Sequence, residues 1–164
     1  MARSRIIATV SAAALILAIA APASAASITE SLSVNSVLTV TGVPASINYG
    51  AVDPGGQSGQ QSFTASVTSN NPWTFKMSGS DFTGPATIGK AARQGQLGLA
   101  TGSVGSMTPG GWTAFDQPAF DGTTVNATGT AGSGSFNVDL RVNVPANAPG
   151  GAYSGTITYT FSAS

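Results

Sequence analysis

The stretch SFNVDLRVNVPANAPGGAYSGTITYTF, Ser135–Phe161, decides the fold class. From Phe136 the apolar residues fall on every second position: Phe136, Val138, Leu140, Val142 and Val144. Asn137, Asp139, Arg141 and Asn143 stand between them. Successive strand side chains point to opposite faces, so this pattern predicts a strand with one buried and one solvated face. Pro145–Gly151 then interrupts it with turn-forming residues that a central strand does not accommodate. A second alternating run follows, with Tyr153, Ile157, Tyr159 and Phe161 among Ser and Thr. Two alternating runs joined through a Pro/Gly connection predict an antiparallel hairpin.

Outward from this stretch, Gln60–Ser69 carries Phe63, Ala65 and Val67 against Ser and Thr, and Trp73–Met77 carries Trp73, Phe75 and Met77. Asn70-Asn71-Pro72 separates the two runs, which predicts a second hairpin. Leu32–Thr41 and Ser46–Val52 read as further strands, the latter closed by the turn Asp53-Pro-Gly-Gly56. Between Gly79 and Gly134 the pattern weakens, because 13 of the 21 glycines lie there. Leu97 with Leu99 and Trp112–Phe115 suggest short strands, and Gly89–Gln96 allows one helical turn at most. Ala127–Ser135 has almost no side chain to bury and reads as a flexible loop. Short strands with Gly/Pro turns and no helical period predict an all-β, two-sheet, antiparallel, immunoglobulin-like β-sandwich.

The N-terminus reads differently. Arg3 and Arg5 precede the apolar run Ile6–Ala20, and Ala23-Ser24-Ala25 offers a small-residue cleavage site, the pattern of a secretory signal peptide over residues 1–25. The run is shorter than the ~20 residues of a spanning helix, so no membrane span is expected after cleavage. Residues 26–164 remain as a single domain of 139 residues, enough for a hydrophobic core. Ala26–Ser31 reads as a frayed leader. Beyond the signal, Lys76, Lys90, Arg93 and Arg141 face six acidic residues. No basic patch exists to hold phosphates, which argues against nucleic acid as a partner. Charged residues are only 7% of the chain, against about 25% in ordinary soluble domains. The surface is therefore Ser, Thr, Asn, Gln and backbone, which suits packing against polymer or neighbouring subunits. No cysteine is present, so disulfides and an N-terminal lipid anchor are excluded.

Trp73-Thr74-Phe75 after Ser-Asn-Asn-Pro, and Val144-Pro145 followed by Gly150-Gly151-Ala152-Tyr153-Ser154-Gly155-Thr156-Ile157-Thr158-Tyr159-Thr160-Phe161, resemble the WxL-type domains of Gram-positive surface proteins. That family carries two Trp-x-Leu motifs. Here Phe75 stands in place of Leu, and Tyr159 and Phe161 in place of Trp and Leu. The resemblance implies export and non-covalent association with the cell wall, with Trp73, Phe75, Tyr153, Tyr159 and Phe161 as motif positions in the core.

Without His or Cys, neither a Ser-His-Asp nor a Cys-His arrangement can form, and common zinc sites are excluded. No cofactor is expected. Asp116 and Asp121 could supply the two acids of a glycoside hydrolase, but Asp before Gly is first a turn signal. A calcium site on these oxygens lacks EF-hand spacing. Trp112, Phe115 and Phe120 are the candidate contacts to carbohydrate or a partner, but capping an open end of the sandwich is the favoured role, since exposed aromatics need a reason. Trp73 should face the core. Asp139 and Arg141 could pair on an outer face at ~0–1 kcal/mol, and Asn126-Ala-Thr128 matches a glycosylation sequon. No Leu-Pro-x-Thr-Gly signal is present, so covalent wall anchoring is not expected. These readings converge on a non-catalytic surface protein that binds cell-wall polysaccharide or other surface proteins. A fibre subunit, self-associating by strand addition from Ala26–Thr41, is the alternative.

Overall fold

The computed structural model describes residues 30–163; the expected signal peptide lies outside them. The chain falls into two units, Met1–Val34 and Asn35–Ser164. In the first, the described residues Glu30–Val34 are exposed and form no regular element. The second is all-β. Its strands are β1 (Leu38–Thr41), β2 (Gln61–Ser69), β3 (Trp73–Gly79), β4 (Phe82–Thr83), β5 (Thr87–Ile88), β6 (Arg93–Met107), β7 (Thr113–Ala114), β8 (Ala127–Val142) and β9 (Ile157–Ala163). Single 3-10 turns lie at Lys90–Ala92 and Pro118–Phe120. Two antiparallel sheets result: seven strands in the order β1-β2-β8-β3-β9, with β6 on β8 and β7 on β6, and the small pair β4-β5.

The predicted strands exist, but neither predicted hairpin does. β2 and β3 both run antiparallel to β8, one after the other: Gln61↔Leu140 through Ser69↔Gly132, then Trp73↔Gly129 through Phe75↔Ala127. They keep one direction, so Asn70–Pro72 is a bend and not a reversal. β6 follows β8 from Arg93↔Val142 to Met107↔Ala127. With β2, β3 and β6 along it, β8 has no edge left for β9, which pairs with β3 instead. The Val144–Thr156 connection therefore spans the end of the fold and is no tight turn.

Ala127–Ser135, expected as a loop, is the first half of β8. Its lack of side chains serves a corner. The partners bend at the same level, since β6 shifts register between Gly98 and Met107, and β2 gives way to β3 at Asn70–Pro72. Strands that bend through bulges carry a sheet around a corner. Gly102 takes φ +66° there, and Trp73 lies so close over Gly129 that a Cβ on Gly129 would collide with the indole.

Bending folds the sheet onto itself and closes one core. Ala65 and Val67 of β2, Trp73, Phe75 and Met77 of β3, Leu97 of β6 and Phe136, Val138 and Leu140 of β8 are all buried in it. The Phe136 ring meets Trp73 at 6.1 Å and Phe75 at 5.0 Å. The end strands β1 and β9 both pack partly buried residues against this core, so the sheet approaches closure. The structure thus has the layered packing of a sandwich, with strands shared between the layers.

Four further expectations change. Leu32–Thr41 is a strand only from Leu38. Ser46–Val52 is not a strand: the Asn48 carboxamide accepts the Gly50 N–H at 2.8 Å, making a side-chain turn. Leu97 and Leu99 belong to a strand of 15 residues, and Trp112–Phe115 retains only the two-residue β7.

Candidate functional site

A groove of about 590 Å³ opens where the ends of several strands meet their connections. Ile47–Val52 and Pro54 build one wall, and the residues that follow fasten it to β8 and its exit. Gly55 N–H donates to Val144 O at 3.0 Å, and Val144 N–H donates to Gly56 O at 2.8 Å. Below them, Ser58 N–H donates to Val142 O, and the Ser58 hydroxyl accepts Val142 N–H at 2.9 Å. The opposite wall is the Pro145–Gly155 connection, whose Ser154 exchanges backbone hydrogen bonds with Thr83 at 2.8 and 2.9 Å. Tyr153 donates its hydroxyl to Pro149 O at 2.8 Å, closing that loop on itself.

A second, smaller cluster of Phe82, Ile88 and Val142 forms the floor, with Tyr49, Val144 and Tyr153 against it. Tyr49 meets Phe82 edge-on at 6.2 Å. Pro54 and Pro149 also line the groove, and no lining residue carries a carboxylate, an amine or a guanidinium.

Arg93 ties this cluster to the main core. It is 2% exposed, and its guanidinium lies 4.3 Å from the Phe82 ring centroid and 5.3 Å from that of Phe115. It donates to Ser80 O and, at 3.1 Å, to Thr156 O, joining the exit of β3 to the entry of β9. Burial lowers its pKa, and the neighbouring Tyr49 opposes that shift. Burial likewise raises the pKa of Tyr49 and, more strongly, of Tyr159. The Tyr159 hydroxyl is buried without a hydrogen-bond partner.

The candidate aromatic contacts are placed elsewhere. Phe115 and Phe120 stack at 4.8 Å and are 2% and 1% exposed, so they seal the core and offer no ring face to a ligand. Trp112 is partly buried, with the Arg141 guanidinium 4.0 Å over its ring. Trp73 and Phe75 are in the core as expected, and Tyr159 and Phe161 are partly buried on β9. Tyr153 is instead a wall of the groove.

The polar candidates resolve into structural roles. Asp116 is exposed and accepts from Gln117. Asp121 accepts Thr123 N–H at 2.7 Å, Thr124 N–H at 2.8 Å and the Thr123 hydroxyl at 2.8 Å. These bonds favour the carboxylate and bring its pKa down to about 2. It is a turn-forming acid. Asp139 and Arg141 turn to Gln96 and Gln94 rather than to each other.

Asn126 of the sequon is 1% exposed. Its carbonyl accepts Met77 N–H at 2.6 Å, and its amide donates to Thr108 O at 3.1 Å and Ala119 O at 2.6 Å. The fold occupies the atom a glycan would need. Sequence reasoning missed this role, and those of Arg93 and Tyr49, because none belongs to a periodic pattern. The one available hint was Arg93, a rare cation close to apolar strand residues.

Among the described residues no group of His, Cys, Asp and Glu is placed to hold a metal ion, and no helix is long and apolar enough to cross a membrane. No protein-family model matches the chain, and no curated protein matches it.

Proposed function

We propose that this chain is an exported, immunoglobulin-like surface domain of WxL-like character that holds cell-envelope polysaccharide without turning it over. The groove carries this reading. Tyr49 and Tyr153 supply rings that suit the apolar faces of sugars, and the glycine-rich walls supply backbone groups for hydroxyls. Glycoside hydrolysis needs two acids about 5–10 Å apart across the scissile bond, and the groove lining has none. The low charge of the chain and the N-terminal export pattern agree with work at the envelope.

The test is sedimentation of the purified chain with isolated wall material. The chain should pellet with the wall, and Tyr49→Ala with Tyr153→Ala should lower bound protein at least fivefold. A wild-type chain that stays in the supernatant across pH 4–8 would defeat the reading.

A further inference from the structure

Among the described residues, four buried side-chain atoms lack a hydrogen-bond partner: Trp73 Nε1, Arg93 Nε, Ser103 Oγ and the Tyr159 hydroxyl. Such atoms are rare in folded proteins, and each asks for a cause. Arg93 and Tyr159 stand apart from the other two, because both line one pocket of about 260 Å³. This pocket adjoins the groove and shares Ile47, Tyr49, Phe82 and Gly155 with it.

Arg93 is a buried cation without an acid beside it. No lining residue of the pocket carries a carboxylate. Asp81 is the weakest of the influences on its charge, and this exposed acid instead accepts the Lys90 N–H at 2.8 Å. Burial raises the pKa values of Tyr49 and Tyr159, so both phenols are neutral at pH 7 and neither balances the guanidinium. Taking a charge out of water is costly unless it is paired. The two carbonyls that Arg93 holds, Ser80 O and Thr156 O, are both on Nη1. Its flat faces meet the rings of Phe82 and Phe115. The Nε side is left, and through that side arginine takes a carboxylate with two parallel N–H groups.

We propose that this pocket binds a carboxylate group, whose oxygens accept the Arg93 Nε–H and the Tyr159 hydroxyl. A single guanidinium matches a single negative charge. A phosphate monoester carries about −1.5 to −2 at neutral pH and would find no second cation in the lining. Tyr49 stands beside the side-chain turn of Asn48 and in no strand, so its ring moves aside as the ligand enters. The carboxylate belongs either to a free small acid or to an acidic sugar of a polymer lying in the groove. The first source is independent of the groove reading, and the second rests on it.

The test uses the purified chain at pH 7, with glucuronate as the probe and its uncharged methyl ester as the control. Glucuronate should bind saturably and the ester at least tenfold more weakly. The Arg93 Nε–H proton resonance should move downfield during the glucuronate titration. Tyr159→Phe, which keeps the ring, should weaken glucuronate binding at least fivefold. Absence of saturable binding, equal binding of the ester, a stationary Nε–H resonance, or full affinity in Tyr159→Phe would overturn the proposal. Tetragalacturonate separates the two sources. Tyr153 lines the groove and not the pocket, so a tetramer affinity at least tenfold above that of glucuronate, lost in Tyr153→Ala, assigns the carboxylate to a polymer. An affinity equal to that of glucuronate assigns it to a free acid, and leaves the groove reading to its own sedimentation test.

Discussion

β8 and β9 carry nearly the same alternation, yet they meet different fates. In β8, Phe136, Val138 and Leu140 are 0% exposed, with strands on both edges. In β9, Ile157, Tyr159 and Phe161 remain partly buried with a partner on one side. Alternation states which face of a strand is apolar. It does not state how many neighbours cover that face. The same pattern therefore makes a keystone in one place and an open border in the other.

The sharpest way to break this comparison is truncation at matched positions. Phe136→Ala should cost about 4 kcal/mol in denaturant unfolding, because it opens a cavity between three aromatic neighbours. Phe161→Ala should cost about half as much; equal losses would erase the distinction. Next is Asn126, which fastens the residue before β8 to three backbone groups. Asn126→Ala should cost about 3 kcal/mol, since Met77 N–H, Thr108 O and Ala119 O lose a partner in a buried site.

A smaller effect is expected at Tyr159. Tyr159→Phe removes a buried hydroxyl that has no partner and should change stability at pH 7 by no more than about 1 kcal/mol. The pH dependence sharpens the point. Burial holds the phenol neutral above its unfolded pKa of about 10. Its contribution is complete below pH 10 and is lost as pH rises beyond, because the unfolded chain ionises first. Tyr49 acts in the same direction. Denaturant titrations at pH 9 and 11 should show a decline that is smaller in Tyr159→Phe.

The smallest effect lies at Asp121, on the surface between the strands. Its depressed pKa means that the turn is held at neutral pH and released as pH falls from about 4 through 2. Carboxyl NMR should give a midpoint near 2, and one near 4 would contradict the turn's hydrogen bonding.

Strand identity was legible wherever a residue had a side chain to hide: Phe63 to Val67, Trp73 to Met77 and Phe136 to Val142 all read correctly. Pairing was not legible. It depends on which edges remain free after distant segments have met, and Gln61↔Leu140 joins residues almost eighty positions apart. Ala127–Ser135 failed for a related reason, since a corner strand is selected for what it omits. The groove was hidden because its walls are turns, whose residues say where the chain reverses and nothing of what they face. For Phe115 and Phe120 the sequence left ligand contact open beside the capping role, and the structure buries both rings.

Trp73 resting on Gly129 has a consequence for anyone reading tolerance from a mutational scan. The indole fills the volume that any larger residue at 129 would claim, so even alanine there should be purged as firmly as polar replacements at Phe136. A selection experiment would flag this bare position as if it touched a ligand, when the constraint is purely one of room.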